Sequence, residues 1–246
     1  MNSFWDVDVP FIPLFGVDHL LYIAIMAVCL AALLTSRHWV RRNREWFRWV
    51  LFGVSAAQFT VLYAWYLLET GFDLAEALPL HISRASTILG MAFLATRSRR
   101  VMDVAFYLGL FAYLTFLMPQ RIYPITHVIG WSFLISHIMT ILLPVFAAIA
   151  YGWRPTVPAL WRSFAWFLGY FALVLVVNPL VGGNYFYLRE RPLLKGLPSP
   201  AYEALAVAVT LLLFWIGYLV ARAIVRAADS RHPAAADSAR PAGAAH

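Results

Sequence analysis

The residues of this chain that could do chemistry are few, and they gather in three short stretches. His81, Ser83 and Arg84 lie together in LPLHISR, Ser136 and His137 in ISHIMT, and Asn178, Asn184 and Tyr185 in NPLVGGNYFYLRE. His19, Glu69, His127 and Glu203 stand near the ends of apolar runs. A serine hydroxyl with an imidazole is the minimal set for acyl transfer, because the imidazole takes the hydroxyl proton and returns it to the leaving alcohol. In that scheme Ser83 attacks an ester carbonyl, and His137, or as second choice His81, is the base. Arg84 or the Asn184 amide stabilises the oxyanion. His81 and Arg84 are three residues apart and would share one face of a helix. Several histidines with carboxylates could hold a metal, but their spacing fits no short ligand motif, so no metal and no cofactor is expected. HExxH, GxSxG and Walker motifs are absent.

The elements that must position these groups follow from composition. The 246 residues are 62% hydrophobic and 13% charged, against about 45–50% and about 25% in soluble domains. That excludes an ordinary soluble domain and a disordered chain. Seven apolar segments run roughly Val17–Ser36, Phe47–Leu68, Leu78–Thr96, Val101–Met118, Thr126–Tyr151, Phe164–Val181 and Tyr202–Val225. Each has the roughly 17–25 residues that a membrane helix needs. The expected fold is therefore all-α and polytopic, with seven transmembrane helices in one domain, residues 1–227. Residues 228–246, rich in Ala, Pro, Asp and Arg, read as a disordered cytoplasmic tail. No cleavable signal peptide is expected, since Asp6 and Asp8 precede the first span and no basic n-region does. The single cysteine, Cys29, excludes a disulfide framework. No lysine lies in a span, which excludes a retinal Schiff base.

Charge sets the orientation. With the N-terminus outside and seven spans, the cytoplasmic segments hold fourteen basic residues, from Arg37–Arg48, Arg97–Arg100, Arg154, Arg162 and the last helix onward. The outer loops hold four: Arg121, Arg189, Arg191 and Lys195. Such a bias places the basic loops inside. The net charge of +7 then reflects cytoplasmic loops and anionic lipid heads rather than nucleic acid. The expected location is a plasma membrane, with membrane lipids as partners.

With this orientation the polar groups of the spans fall in the outer half. His137 lies about ten residues into the fifth span, roughly 15 Å deep at about 1.5 Å per residue, where interfacial anchoring does not account for it. His137, His81 and Asn184 are expected to line a pocket. Arg84, costly in hydrocarbon, should pair with a carboxylate, Glu69 first and Glu203 second. Asp103 sits in sequence among Arg97, Arg99 and Arg100. The simpler alternatives are interfacial anchoring for His19 and His127, and helix–helix hydrogen bonds for Ser83, Ser136 and Thr140. The Arg-rich loop RHWVRRNREWFR reads as a topology signal.

Three stretches carry a resemblance: LPLHIS at Leu78–Ser83, SHIMTILLPVF at Ser136–Phe146, and NPLVGGNYFYLRERP at Asn178–Pro192. Together they resemble the YwaF family of bacterial integral membrane proteins, which is similar to the eukaryotic transmembrane protein 164 acyltransferases. The resemblance runs from DHLLY, beginning at Asp18, to the seventh helix. It implies a bacterial multi-pass protein and, through those relatives, a lipid acyltransferase or acyl hydrolase with a nucleophile and a His. It implies catalytic roles for His137, Ser83 and His81, and a lipid or acyl substrate held by Arg84, Asn184, Tyr185, Glu69, Asn178 and His19. A Cys often occupies the position of Ser83 in the bacterial family, so thiolate chemistry does not carry over. The alternatives are a non-catalytic seven-helix ligand-binding or sensor protein, or a small-molecule transporter; the transporter is disfavoured by the scarcity of polar residues in the inner half.

Overall fold

The computed structural model describes residues 4–118, 121–191 and 194–230. Among them are nine α-helices, one short 3-10 turn and no strand: α1 Val17–Thr35, α2 Arg37–Arg42, α3 Arg44–Glu69, α4 Leu74–Ala77, α5 Ile82–Thr96, α6 Arg99–Leu117, α7 Val128–Tyr151, α8 Val157–Val181, the turn Tyr185–Tyr187, and α9 Ser199–Ser230. Six of these, α1, α3, α6, α7, α8 and α9, are long and apolar enough to cross a membrane, and α5 is a shorter apolar helix. The predicted tail lies outside the described residues from 231 onward, as do Arg231, Arg240 and Pro192. Helix α9 continues through the first residues assigned to that tail.

Local chemistry fixes the ends. The Thr156 hydroxyl accepts from Ala159 N, and Pro158 fits the first turn, so α8 starts seven residues before the predicted Phe164. Gly152 and Gly182 end α7 and α8 with φ of +62° and +70°, the left-handed geometry that glycine adopts without penalty. The third predicted span is shortened at its start. Pro79 forces Leu78 out of the helical region (φ −59°, ψ 147°), and His81 is also extended, so the helix begins at Ile82. His81 therefore caps α5 and shares no helix face with Arg84.

Burial is graded from centre to rim. Helices α6 and α7 bury half or more of their apolar windows, whereas α1 and α9 bury 17% and 11%. Val17, Val28, Leu68 and Leu180 are two-thirds or more exposed, a distribution suited to a surrounding lipid phase. Helix α5 packs against α3, α6 and α7 and is tied antiparallel to α3 at both ends. Near the start of α3, Arg48 donates to the carbonyls of Leu94 and Ala95, the latter at 3.1 Å. Near its end, Tyr66 receives the guanidinium of Arg84.

The two ends of the bundle differ. At the arginine-rich end, Arg44 and Arg48 reach the last carbonyls of α7 and α5, satisfying acceptors that a helix leaves free and opposing its dipole. Glu45 binds Arg48 at 2.9 Å and Arg97 at 3.4 Å. Asp103 is held by Arg162 and by Trp153 Nε1 at 2.9 Å, rather than by its sequence neighbours. At the opposite end, residues 4–16 form a strap over the bundle. Val128 N donates to Phe4 O, Trp65 Nε1 to Trp5 O, and Ile12 N to Ile122 O, each at 2.8 Å.

Candidate functional site

At the strap end, α4 and the leader 78–81 carry a cluster of polar groups. The leader is held by Tyr185, which is fully buried. Its hydroxyl donates to Leu74 O at 2.6 Å and accepts from Leu78 N at 3.0 Å. Asn178 in turn clamps the Tyr185 backbone, accepting from its N–H at 2.8 Å and donating to its carbonyl at 2.9 Å. Asn184 closes the next turn by accepting from Arg189 N and Glu190 N. The NYFYL stretch is thus a fastening between the α8–α9 connection and the start of α5.

Arg84 lies inside this frame. Its guanidinium donates to Glu76 O, to Leu78 O at 3.1 Å and to the Tyr66 hydroxyl, and rests 4.6 Å from the Tyr66 ring centre. The expected partners Glu69 and Glu203 do not reach it; among the described residues no carboxylate lies within 4.0 Å of its nitrogens, and Glu69 is exposed at the last turn of α3. The physical reason is the leader itself. The Leu78 carbonyl and, from α4, the Glu76 carbonyl point at the guanidinium and supply the negative potential without a second desolvated charge.

His81 sits edge-on to Tyr185, ring centres 4.8 Å apart. Its Nε2 lies 3.4 Å from Glu76 Oε2, an ion-pair distance without hydrogen-bond geometry. That imidazole, and more weakly Arg84, hold the Glu76 carboxyl below its usual range against the opposing effect of burial. Next to the cluster, Phe59, Thr60, Tyr63, Ala64, Leu67 and Phe72 line an open, almost wholly apolar groove of about 460 Å³. Tyr63 joins the two, with its ring 6.3 Å from Tyr66 and 6.1 Å from Phe72, and its buried hydroxyl has no partner.

His137 is elsewhere. Its ring lies 4.0 Å from Phe133 and 5.6 Å from Phe116. Nδ1 is 2.8 Å from Phe133 O, so it carries the proton and donates it; Ser136 Oγ is 3.3 Å away. Nε2 then presents a lone pair that is buried without a partner. No hydrogen bond joins Ser83 to His137 or to His81 among the described residues. Ser83 lies on the α5 face of Thr87, whose hydroxyl donates to Ser83 O at 2.9 Å. Deeper along α5, Ser86 and Thr87 line, with Ser55 and Thr140, a second cavity of about 10 Å³ that Ser83 does not reach, room for one water and not for an acyl chain. Neither cavity is lined by His137, His81 or Asn184.

His19 and His127 are tied to backbone. His19 accepts from Phe15 N and bonds Phe116 O at 2.7 Å, which leaves no ring nitrogen for a substrate. His127 caps α7 through Ile129 N and donates to Asp6 O of the strap at 2.8 Å. Sequence reasoning missed Glu76, Tyr63 and Tyr66, and also the Gln58–Ser132 bond of 2.6 Å between α3 and α7. The one available signal was Glu76, five residues before His81. Among the described residues no three His, Cys, Asp or Glu side chains converge as metal ligands would. The structure therefore gathers His81, Arg84, Tyr185 and Asn178 around Glu76 and Tyr66, and leaves His137, His19 and Glu69 apart.

No curated protein and no solved structure matches the chain. The TMEM164 family model matches residues 14–219. With its apolar helices, this makes the chain an integral, multi-pass membrane protein that belongs to the TMEM164 family.

Proposed function

We propose that this protein is an acyl-lipid enzyme of the bacterial YwaF branch of the family, a transferase or hydrolase set in the plasma membrane. Residues 1–227 form its single domain. The reading takes α5 as a seventh span, supported by its ties to both ends of α3. Seven crossings put the strap outside and the arginine-rich end in the cytoplasm, as the charge bias favours.

The observation that carries the function is the junction of the polar cluster with the apolar groove at Tyr63. An acyl chain lies in the groove, and its ester reaches the cluster. Ser83, in the first turn of α5, attacks the carbonyl carbon. His81, with Glu76 beside it, takes the hydroxyl proton and gives it to the leaving alcohol. The Arg84 guanidinium receives the oxyanion. The acyl group then passes from Ser83 to a lipid hydroxyl or to water, and the serine is restored. His137, as the alternative base, requires α5 and α7 to shift.

A second reading, a lipid-binding protein without turnover, is favoured by the missing hydrogen bond between Ser83 and either histidine. The test uses the full chain in nanodiscs containing a phospholipid with a labelled acyl chain. Ser83→Ala and His81→Gln should each lower label release by about 10²–10⁴-fold. Full activity of Ser83→Ala rules out the acyl-enzyme. If His81→Gln keeps full activity and His137→Gln loses it, the base is His137. Binding of the labelled lipid with no release by the wild type selects the second reading.

A further inference from the structure

The opposite end of the molecule carries a second surface that the acyl reading does not use. Helix α2 lies across the end of the bundle between α1 and α3, and packs on α7 through the buried Val40. Its other sides present Arg37, Arg41 and Arg42, all exposed and none with a carboxylate partner among the described residues. Arg100, exposed at the start of α6, is likewise unpaired. The nearby carboxylates are already engaged, Glu45 by Arg48 and Arg97 and Asp103 by Arg162. Among the described residues the guanidinium excess at this end is therefore uncompensated.

Three tryptophans flank these arginines. Trp39, Trp46 and Trp49 are 49%, 61% and 51% exposed, and Trp39 and Trp46 meet edge to face at 5.9 Å. Indole favours the boundary between hydrocarbon and headgroups. Indoles at this boundary set the guanidiniums of α2 at headgroup depth, where the planar fork of arginine matches phosphate oxygens. We propose that α2 and its tryptophans form a docking surface for phospholipids with a net negative headgroup, held by Arg37, Arg41 and Arg42. The surrounding apolar spans and the indoles favour a lipid over a soluble polyanion. The proposal rests on the helices crossing a membrane and is independent of any acyl chemistry at His81.

The test measures the ratio of association constants for phosphatidylglycerol over phosphatidylcholine, on the full chain in phosphatidylcholine nanodiscs. The wild type should prefer phosphatidylglycerol at low salt and lose the preference by about 1 M NaCl, as charges screened at a few Å must. A charge near an anionic surface is worth roughly fivefold. The triple variant Arg37→Gln, Arg41→Gln, Arg42→Gln should therefore cut the ratio by about tenfold or more. The corresponding Lys triple should keep most of it. No preference in the wild type, a preference that survives about 1 M salt, or an undiminished ratio in a folded Gln triple overturns the proposal. Should the Gln triple fail to fold, the salt series on the wild type decides. Displacement of the lipid by millimolar glycerol phosphate also overturns it, by making the ligand a soluble phosphate compound.

Discussion

Removing one oxygen atom from Tyr185 tests how the leader of α5 is held. Tyr185→Phe keeps the ring, its complete burial and its edge contact with His81 at 4.8 Å. It deletes the hydroxyl that donates to Leu74 O at 2.6 Å and accepts from Leu78 N at 3.0 Å. Each neutral hydrogen bond is worth about 0.5–1.5 kcal/mol net, so the two together predict a loss of about 1–3 kcal/mol. The upper end applies if no water replaces the hydroxyl. Reversible unfolding in mixed micelles measures the loss, and amide exchange at Leu78 locates it. The Asn178 clamp acts on the same residue through the backbone, so Asn178→Ala and Tyr185→Phe should be coupled rather than additive. A loss below about 0.5 kcal/mol, with unchanged exchange at Leu78, refutes the fastening. Unchanged stability with lost lipid activity would instead return Tyr185 to the substrate-binding role that the sequence suggested.

Three further outcomes follow from the geometry. A Cβ at Gly130 would lie 2.0 Å from Pro124 O and 2.6 Å from the Tyr22 hydroxyl; Gly130→Ala should therefore cost about 3 kcal/mol or more, read as a lowered melting temperature or loss of monodisperse protein. Arg48→Met keeps the apolar stem but frees the α5 carbonyls of Leu94 and Ala95, and should lower unfolding free energy by about 2–3 kcal/mol, against no change if the guanidinium is idle. Because the folded state holds the Glu76 carboxyl below its usual range, its stabilisation is complete above the unfolded carboxylate pKa and disappears as pH falls through the lowered one. The melting difference between wild type and Glu76→Gln should then shrink as pH falls below the ordinary carboxylate range, about 4, and a difference as large in strong acid as at neutral pH would refute the contact with His81.

The spans were legible because their signal is one-dimensional. Val17 and Tyr151 bound an observed first helix and an observed α7 as the apolar runs placed them, and α6 differs from its run by a residue or two at each end. Misplacements came from capping rather than hydropathy. Thr156 and Pro158 start α8 seven residues before the predicted Phe164, and Pro79 delays α5 to Ile82. The cluster residues His81 and Arg84 could be picked out by their cost in hydrocarbon, but their partners could not. The expectation of a carboxylate for Arg84 considered charges and overlooked the carbonyls of Glu76 and Leu78, at the break between α4 and α5. The Gln58–Ser132 and Asp103–Arg162 contacts cross 74 and 59 positions, and no periodicity of a single chain encodes such pairings.

The strap over the α7 end has a consequence for the order in which the molecule is made. Phe4, Trp5, Asp6 and Val7 emerge from the ribosome early, and Tyr123, His127 and Val128, which bind Val7, Asp6 and Phe4, follow more than a hundred residues later. Trp65, the partner of Trp5, arrives between them. Chains are built from the N-terminus at about 5–20 residues per second, so the strap waits at least several seconds with its backbone groups unpaired. Closure of this face is then a late event of biogenesis, gated by insertion of α7. Until it occurs, the half-built protein presents free strap to whatever chaperone or protease shares that side of the membrane.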